Sequence, residues 1–201
     1  LALGEAKRVA ADLGMTPGAK TITPALEQCS SDFCRAFLRG LFDADGSVQG
    51  TTSKGVSVRL AQSDIATLEA AQRMLLRFGI ASAIYRNRRV EGSKMLPDGR
   101  GGSAAYPVKA QHELVVARGN LVTFAERIGF HDTAKSARLN SLLGSYHRTM
   151  NRERFLATVA GTESDGREPV YDVQVPGANA FDANGLLVHN CGEQPLLPYE
   201  A

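Results

Sequence analysis

Apolar residues fall three and four apart in the middle of this chain, where Leu68, Ala71, Leu75 and Phe78 line one face of a helix predicted over 65–78. Near the end the period changes to two, because residues 170–175 alternate apolar and polar side chains as a half-buried strand does. The same reading predicts a short helix over 5–13 stopped by Gly14, then an irregular Pro- and Thr-containing connection to 28. Ser30 or Ser31 caps a helix running to Ala44, and Gly46 stops it as a C′ residue. Strands over 47–50 and 56–62 flank the polar turn 51–55, and Ser63 or Asp64 caps the 65–78 helix, which Gly79 ends. Strands over 83–88 and 112–117 follow, separated by a Gly-rich loop over 92–105, and helices over 120–128 and 133–143 close the unit. Beyond it come strands over 155–159 and 170–175, the hairpin dipeptide Asn184-Gly185, and a return strand over 186–188. The order predicts an α+β fold, with a helix, two strands, a helix, two strands and helices in turn.

Length and composition allow a real core, since 43% of the 201 residues are hydrophobic. The net charge of +2 is mild, but Arg86, Arg88, Arg89, Lys94 and Arg100 cluster against only Glu91 and Asp98. Attraction to a phosphate backbone depends on such local charge rather than on the total. Cys29, Cys34 and Cys191 are odd in number and lack metal-type spacing, so neither a disulfide framework nor a zinc site is expected, and a reducing cytoplasm is the natural setting. No apolar run approaches the roughly 20 residues that span a bilayer, so no membrane partner is expected.

Candidate chemistry sits in two stretches. In the first, FLRGLFDADGSV, Gly40 and Ala44 stand four apart on one helix face and leave room for a second helix. Asp45 ends that helix, where the macrodipole disfavours a carboxylate unless a cation neutralises it. A hard ion such as Mg²⁺ suits an acid so placed. The residues Leu38, Gly40, Leu41, Asp43, Ala44, Asp45 and Gly46 resemble the signature of the LAGLIDADG (DOD-type) homing endonucleases nearly position for position.

That resemblance implies half of a saddle-shaped αββαββα fold whose sheet lies on double-stranded DNA. It implies that Asp45, with the carbonyl of Ala44, binds Mg²⁺ and that Asp43 positions the turn. Gln62 is similar to the glutamine that organises metal-bound water, and Lys135 to the lysine that polarises it. Tyr85, Arg86, Arg88 and Arg89 match the strand that contacts bases and phosphates. The chemistry implied is metal-assisted hydrolysis of a phosphodiester. The chain has one convincing copy of the motif, so a complete duplex cut needs a second LAGLIDADG helix, from an upstream segment or a second copy.

In the second stretch, VYDVQVPGANAFDANGLLVHNC, a histidine, an asparagine and a cysteine end a predicted strand. The Asn190 carboxamide can attack its own carbonyl if His189 protonates the departing amine, while the Cys191 thiol accepts an acyl group. The stretch resembles the C-terminal blocks of an intein, in a Hint-type splicing domain. Asn190 matches the cyclising residue, His189 the proton donor, Asp172 the acid that tunes the thiols and Cys191 the first residue of the downstream host segment, or extein. Asn179 stands where many inteins carry a histidine. No N-terminal nucleophile or Thr-x-x-His-like block is present, which implies a missing N-terminal intein half.

The remaining run, CGEQPLLPYEA, resembles the active-site strand of a ribonucleoside-diphosphate reductase, most like the class that uses adenosylcobalamin. Cys191 and Glu193 alternate on one strand face, and the resemblance implies a radical cysteine and an assisting glutamate. The expected organisation is therefore a connection over 1–28, an endonuclease half over 29–146, a C-terminal splicing region over 147–190 and a host segment over 191–201. A DNA-binding maturase or regulator that has lost hydrolysis is the alternative of a different class.

Overall fold

The computed structural model describes residues 3–16, 18, 21–97, 99, 101–145, 158–164, 166, 167, 169, 180–183 and 186–189. The chain divides into two compact units, Leu1–Glu153 and Arg154–Ala201.

The first unit is α+β. Its elements are α1 (Leu3–Asp12), α2 (Pro24–Glu27), α3 (Ser31–Asp45), β1 (Gly46–Thr51), β2 (Gly55–Gln62), α4 (Ile65–Leu76), β3 (Ala83–Arg89), β4 (Gly92–Pro97), β5 (Ser103–Val108), β6 (Gln111–Ala117), α5 (Asn120–Arg127) and α6 (Thr133–Gly144). Strands β1, β2, β6 and β3 form one antiparallel sheet in that order. Its register pairs Val48 with Val58, Val58 with Val116 and Leu60 with Leu114, so these buried side chains share one face. Helices α3 to α6 pack on the sheet, and their apolar stripes complete the core. The opposite face carries Gln49, Arg59, Tyr85, Glu113 and Val115, as the period of two requires.

Helix α3 shows the packing rule plainly. Cys34, Leu38 and Phe42 recur every four residues and are fully buried, and the Ser30 hydroxyl caps the helix by accepting from the Phe33 N–H at 3.3 Å. Phe42 meets Phe124 edge-on with ring centroids 4.9 Å apart, and Phe124 meets Phe130 at 5.6 Å. Burying each ring stabilises by about 2–3 kcal/mol, and each well-oriented pair adds about 1 kcal/mol. Burial also raises the Cys34 thiol above its usual range, against the opposing pull of Arg77 3.2 Å away.

Four details depart from the sequence reading. Gly46 does end α3, yet its backbone is extended (φ −82°, ψ 157°) rather than left-handed. Close approach is what requires glycine there, because a Cβ would lie 2.4 Å from the Phe42 carbonyl oxygen. The expected 92–105 loop is instead the two-stranded ribbon β4–β5, with Lys94 opposite Tyr106. The connection expected to be irregular up to 28 contains α2, capped by Thr23 with Pro24 at its first turn. Ile22 and Leu26 are buried in the same core, and Glu27 forms a two-point ion pair with Arg73 at 2.7 and 2.8 Å. Residues 158 and 159 are not in a strand, while 155–157 lie outside the described residues.

In the second unit, β7 (Ala180–Ala183) pairs antiparallel with β8 (Leu186–His189), from Ala183 opposite Leu186 to Ala180 opposite His189. That register leaves a two-residue connection at Asn184 and Gly185, the dipeptide whose sequence predicts a tight turn. The expected strand over 170–175 lies outside the described residues.

Candidate active site and nucleic-acid interface

Asp45 is the last residue of α3 and is exposed. Because β1 begins at Gly46 and Gly46 stands opposite Leu60, the end of α3 and the end of β2 lie side by side. There the Gln62 amide donates to the Asp45 carboxylate at 2.7 Å. Lys135, from α6, reaches the same helix end, where its ammonium donates to the carbonyls of Phe42 at 3.3 Å and Asp43. A cation on the unsatisfied carbonyls of a helix C-terminus opposes the negative end of the macrodipole. Asp45, Gln62 and Lys135 therefore converge on one helix end from three elements.

Asp43 places the lysine. Its carboxylate accepts from the backbone N–H of His131 at 3.0 and 3.1 Å and from that of Asp132 at 3.1 Å, while the Asp132 side chain caps α6 by accepting from the Lys135 N–H at 2.8 Å. The motif thus fixes the two residues that lead into α6, 88 and 89 residues away. No sequence signal identifies that contact, because Asp132 announces a cap but not what holds the cap. Ala44 and Gly40 are both exposed, and a Cβ on Gly40 would meet nothing within 4 Å.

Asp45 offers hard oxygen, but among the described residues no cluster of three His, Cys, Asp or Glu could hold a metal ion. A single carboxylate is compatible in chemistry with Mg²⁺, which takes one or two carboxylates beside water and phosphate oxygens.

On the open face of the sheet, Tyr85 is 51% exposed and the Arg88 guanidinium lies 5.8 Å from its ring centre. Strand β3 bulges here: it advances from Tyr85 to Arg89 while β6 moves only from Glu113 to Gln111, and Asn87 takes a left-handed φ of 51°. The Asn87 N–H donates to His112 Nδ1 at 3.0 Å, which gives that histidine a partner. Arg89 is exposed opposite Gln111, whereas Arg86 pairs with Glu69 of α4 at 2.8 Å and is set apart from the other three. Two residues that sequence reasoning missed complete this surface. Arg59 binds the Glu113 carboxylate at 2.9 Å, and Arg88 approaches the same oxygen at 3.7 Å. Their alternation with buried Val58, Leu60 and Leu114 was the available signal.

His189 ends β8, while Asp172, Asn190, Cys191 and Glu193 lie outside the described residues. Among the described residues no helix is long and apolar enough to cross a membrane.

An acid-tipped helix thus feeds an antiparallel sheet, with an amide and an ammonium beside the acid. Residues 32–129 match the family model described as a LAGLIDADG-like domain. The chain is 30% identical over 185 residues to the ribonucleoside-diphosphate reductase NrdEB subunit alpha of Bacillus subtilis (strain 168), covering 90% of this chain and 17% of that protein. It is 33% identical over 193 residues to a DNA polymerase of Thermococcus litoralis, covering 90% of this chain and 11% of that one. The chain thus spans about a sixth or less of the length of these relatives. Among solved structures, one described as a mesophilic variant of the homing endonuclease I-DmoI shares 18% identity at a TM-score of 0.37, over 57% of this chain and 50% of that one.

Proposed function

We propose that this chain is the C-terminal part of an intein carried by a ribonucleoside-diphosphate reductase, and that its first unit hydrolyses DNA phosphodiesters at Asp45. The observation that carries the nuclease reading is the convergence of Asp45, Gln62 and Lys135 on one helix end. Asp45 would hold a divalent ion, with the carbonyl of Ala44 as a further oxygen donor. Bound there, Mg²⁺ supplies charge stabilisation for the phosphate and its leaving oxygen. Gln62 orients the carboxylate and a water through its amide, and Lys135 holds the helix end while offering a further N–H to that water. The open sheet face binds the duplex through Tyr85, Arg88, Arg89 and Arg59. The exposed Gly40–Ala44 strip receives a second LAGLIDADG helix with its own acid, from another segment or a second copy.

The splicing reading rests on residues 170–191 as a sequence. His189 protonates the departing amine, Asn190 cyclises and breaks its bond to Cys191, and Asp172 tunes the thiol exchange. That reductases and DNA polymerases, hosts of different chemistry, both match over most of this chain supports an insert common to them. Residues 191–201 then belong to the reductase, with Cys191 and Glu193 in its active strand, and adenosylcobalamin concerns that host alone.

The test of the nuclease is nicking of a supercoiled plasmid pool with Mg²⁺, parent beside Asp45→Asn. The expected result is a parent that nicks and a variant that binds without nicking. A parent that binds and never nicks, with or without Mg²⁺, favours the DNA-binding maturase or regulator and overturns the hydrolysis.

A further inference from the structure

Glu113 is the anomaly on the open face of the sheet. A carboxylate there repels a phosphate backbone, yet its side chain is only 13% exposed and is held between two arginines from the strands on either side of β6. Arg59 donates from Nη1 to Glu113 Oε2 at 2.9 Å and from Nε to the Ser57 hydroxyl at 2.9 Å. Arg88 brings its Nε to 3.7 Å from the same oxygen and rests its guanidinium on the Tyr85 ring. Arg59 spends N–H donors at Nε and Nη1 on the protein, while Arg88 is held beside Glu113 by charge rather than by a hydrogen bond. A guanidinium has five N–H donors in a rigid plane, so what remains is a fork suited to two parallel acceptors.

We infer that Glu113 is a specificity-determining residue, which fixes Arg59 and Arg88 as a two-pronged reader of guanine in the major groove. This rests on the nuclease reading, in which this face meets the duplex. Guanine presents O6 and N7 side by side, the acceptor pair that an arginine fork matches. A free arginine has about 2 kcal/mol of rotamer entropy to lose on docking, and it docks as readily on a phosphate. Tethering through Glu113 removes much of that freedom beforehand and cancels one positive charge, so it trades attraction for the backbone against discrimination between bases. The carboxylate acts through the arginines and is itself a positioning residue.

The two effects separate in one experiment. The full chain, parent and Glu113→Gln, is used to select duplexes from a randomised library, and affinity for random-sequence DNA is measured across a salt series. Arg59→Lys is a second variant, and thermal melting is recorded for all three. The parent is expected to enrich guanine about tenfold or more at two positions. Glu113→Gln is expected to lose that preference at those positions alone while holding random DNA more tightly and with a steeper salt dependence. Arg59→Lys is expected to lose one position only. If Glu113→Gln keeps both guanines, or loses preference evenly along the site together with melting temperature, the assignment is overturned. A parent that binds no duplex overturns the nuclease reading itself, which is a different result from a selective parent indifferent to Glu113.

Discussion

Two glycines six residues apart in one motif should respond to alanine with opposite signs. At Gly46 a Cβ would stand 2.4 Å from the Phe42 carbonyl oxygen and 2.9 Å from both Phe42 Cα and Cδ1. Two of those atoms are backbone, and the third belongs to a ring packed against Phe124, so none can yield cheaply. Overpacking of this kind costs about 1–3 kcal/mol and sometimes more, and the loss of unfolded-state freedom on replacing glycine returns less than about 1 kcal/mol. Gly46→Ala is therefore expected to destabilise by about 2–3 kcal/mol. Gly40 stands inside α3 with nothing within 4 Å of a Cβ, and alanine in a helix interior is favoured over glycine by about 0.5–1 kcal/mol.

For a unit of this size about 1 kcal/mol moves the melting temperature by about 2–4 °C. Gly46→Ala should melt roughly 5–10 °C below the parent and Gly40→Ala slightly above it. Urea unfolding read by circular dichroism gives the free energies directly. Plasmid nicking adds a second axis: if another helix packs on the Gly40 strip, the more stable Gly40→Ala protein is the poorer nuclease. A Gly46→Ala protein as stable as the parent would refute the claim that close approach, not a left-handed turn, dictates this glycine.

Asp64 caps α4 by accepting from the Ala66 N–H at 3.2 Å and binds the Thr67 hydroxyl at 2.6 Å, so Asp64→Ala should cost about 1 kcal/mol at neutral pH. The Thr67 hydroxyl, more than any other group, holds this carboxyl below the usual 3.8. A depressed pKa contributes stability that is fully present above the unfolded value and lost as pH falls through the folded one, so the gap between parent and variant, read by urea unfolding, should close below pH 3.8. Lys135→Met should lower nicking by about a hundredfold, while parent-level DNA retention on a filter shows that the sheet face is intact. Joined to an upstream intein portion, the chain should give a ligated host product by mass spectrometry, and Asn190→Ala should abolish it; unchanged products would refute asparagine cyclisation.

Helices α3, α4 and α6 were legible because each buries one stripe and opens on a serine or aspartate whose side chain caps it. The ribbon β4–β5 was not, and the reason is physical. Residues 92–97 are all exposed, so neither face is selected for apolarity and no alternation exists to read. Helix α2, only four residues long, is shorter than the pattern that would reveal it, although Thr23-Pro24 marks its start. Asp45 and Gln62 were found as separate residues through the resemblance, and their contact depends on the length of the β1–β2 hairpin. The Arg59–Glu113 pair needs the register between β2 and a strand 54 residues on, which nothing local specifies.

The peptide at Phe42 shows why the acid stands where it does despite the cost of its position. The Phe42 ring is locked into the core, while its carbonyl accepts from both the Gly46 N–H and the Lys135 ammonium. Burial of Cys34, Leu38 and Phe42 sets the rotation of α3 about its axis. That rotation leaves Gly40 and Ala44 exposed and aims the final residue out of the helix end. An acid one position earlier or later would be turned by about 100°, away from the Gln62 amide that now meets it. The same core contacts that make the helix stable therefore determine the direction of its one exposed terminal carboxylate. Asp43 carries that constraint onward by holding the start of α6, so the lysine and the carboxylate move as parts of one packed body rather than as two independent side chains.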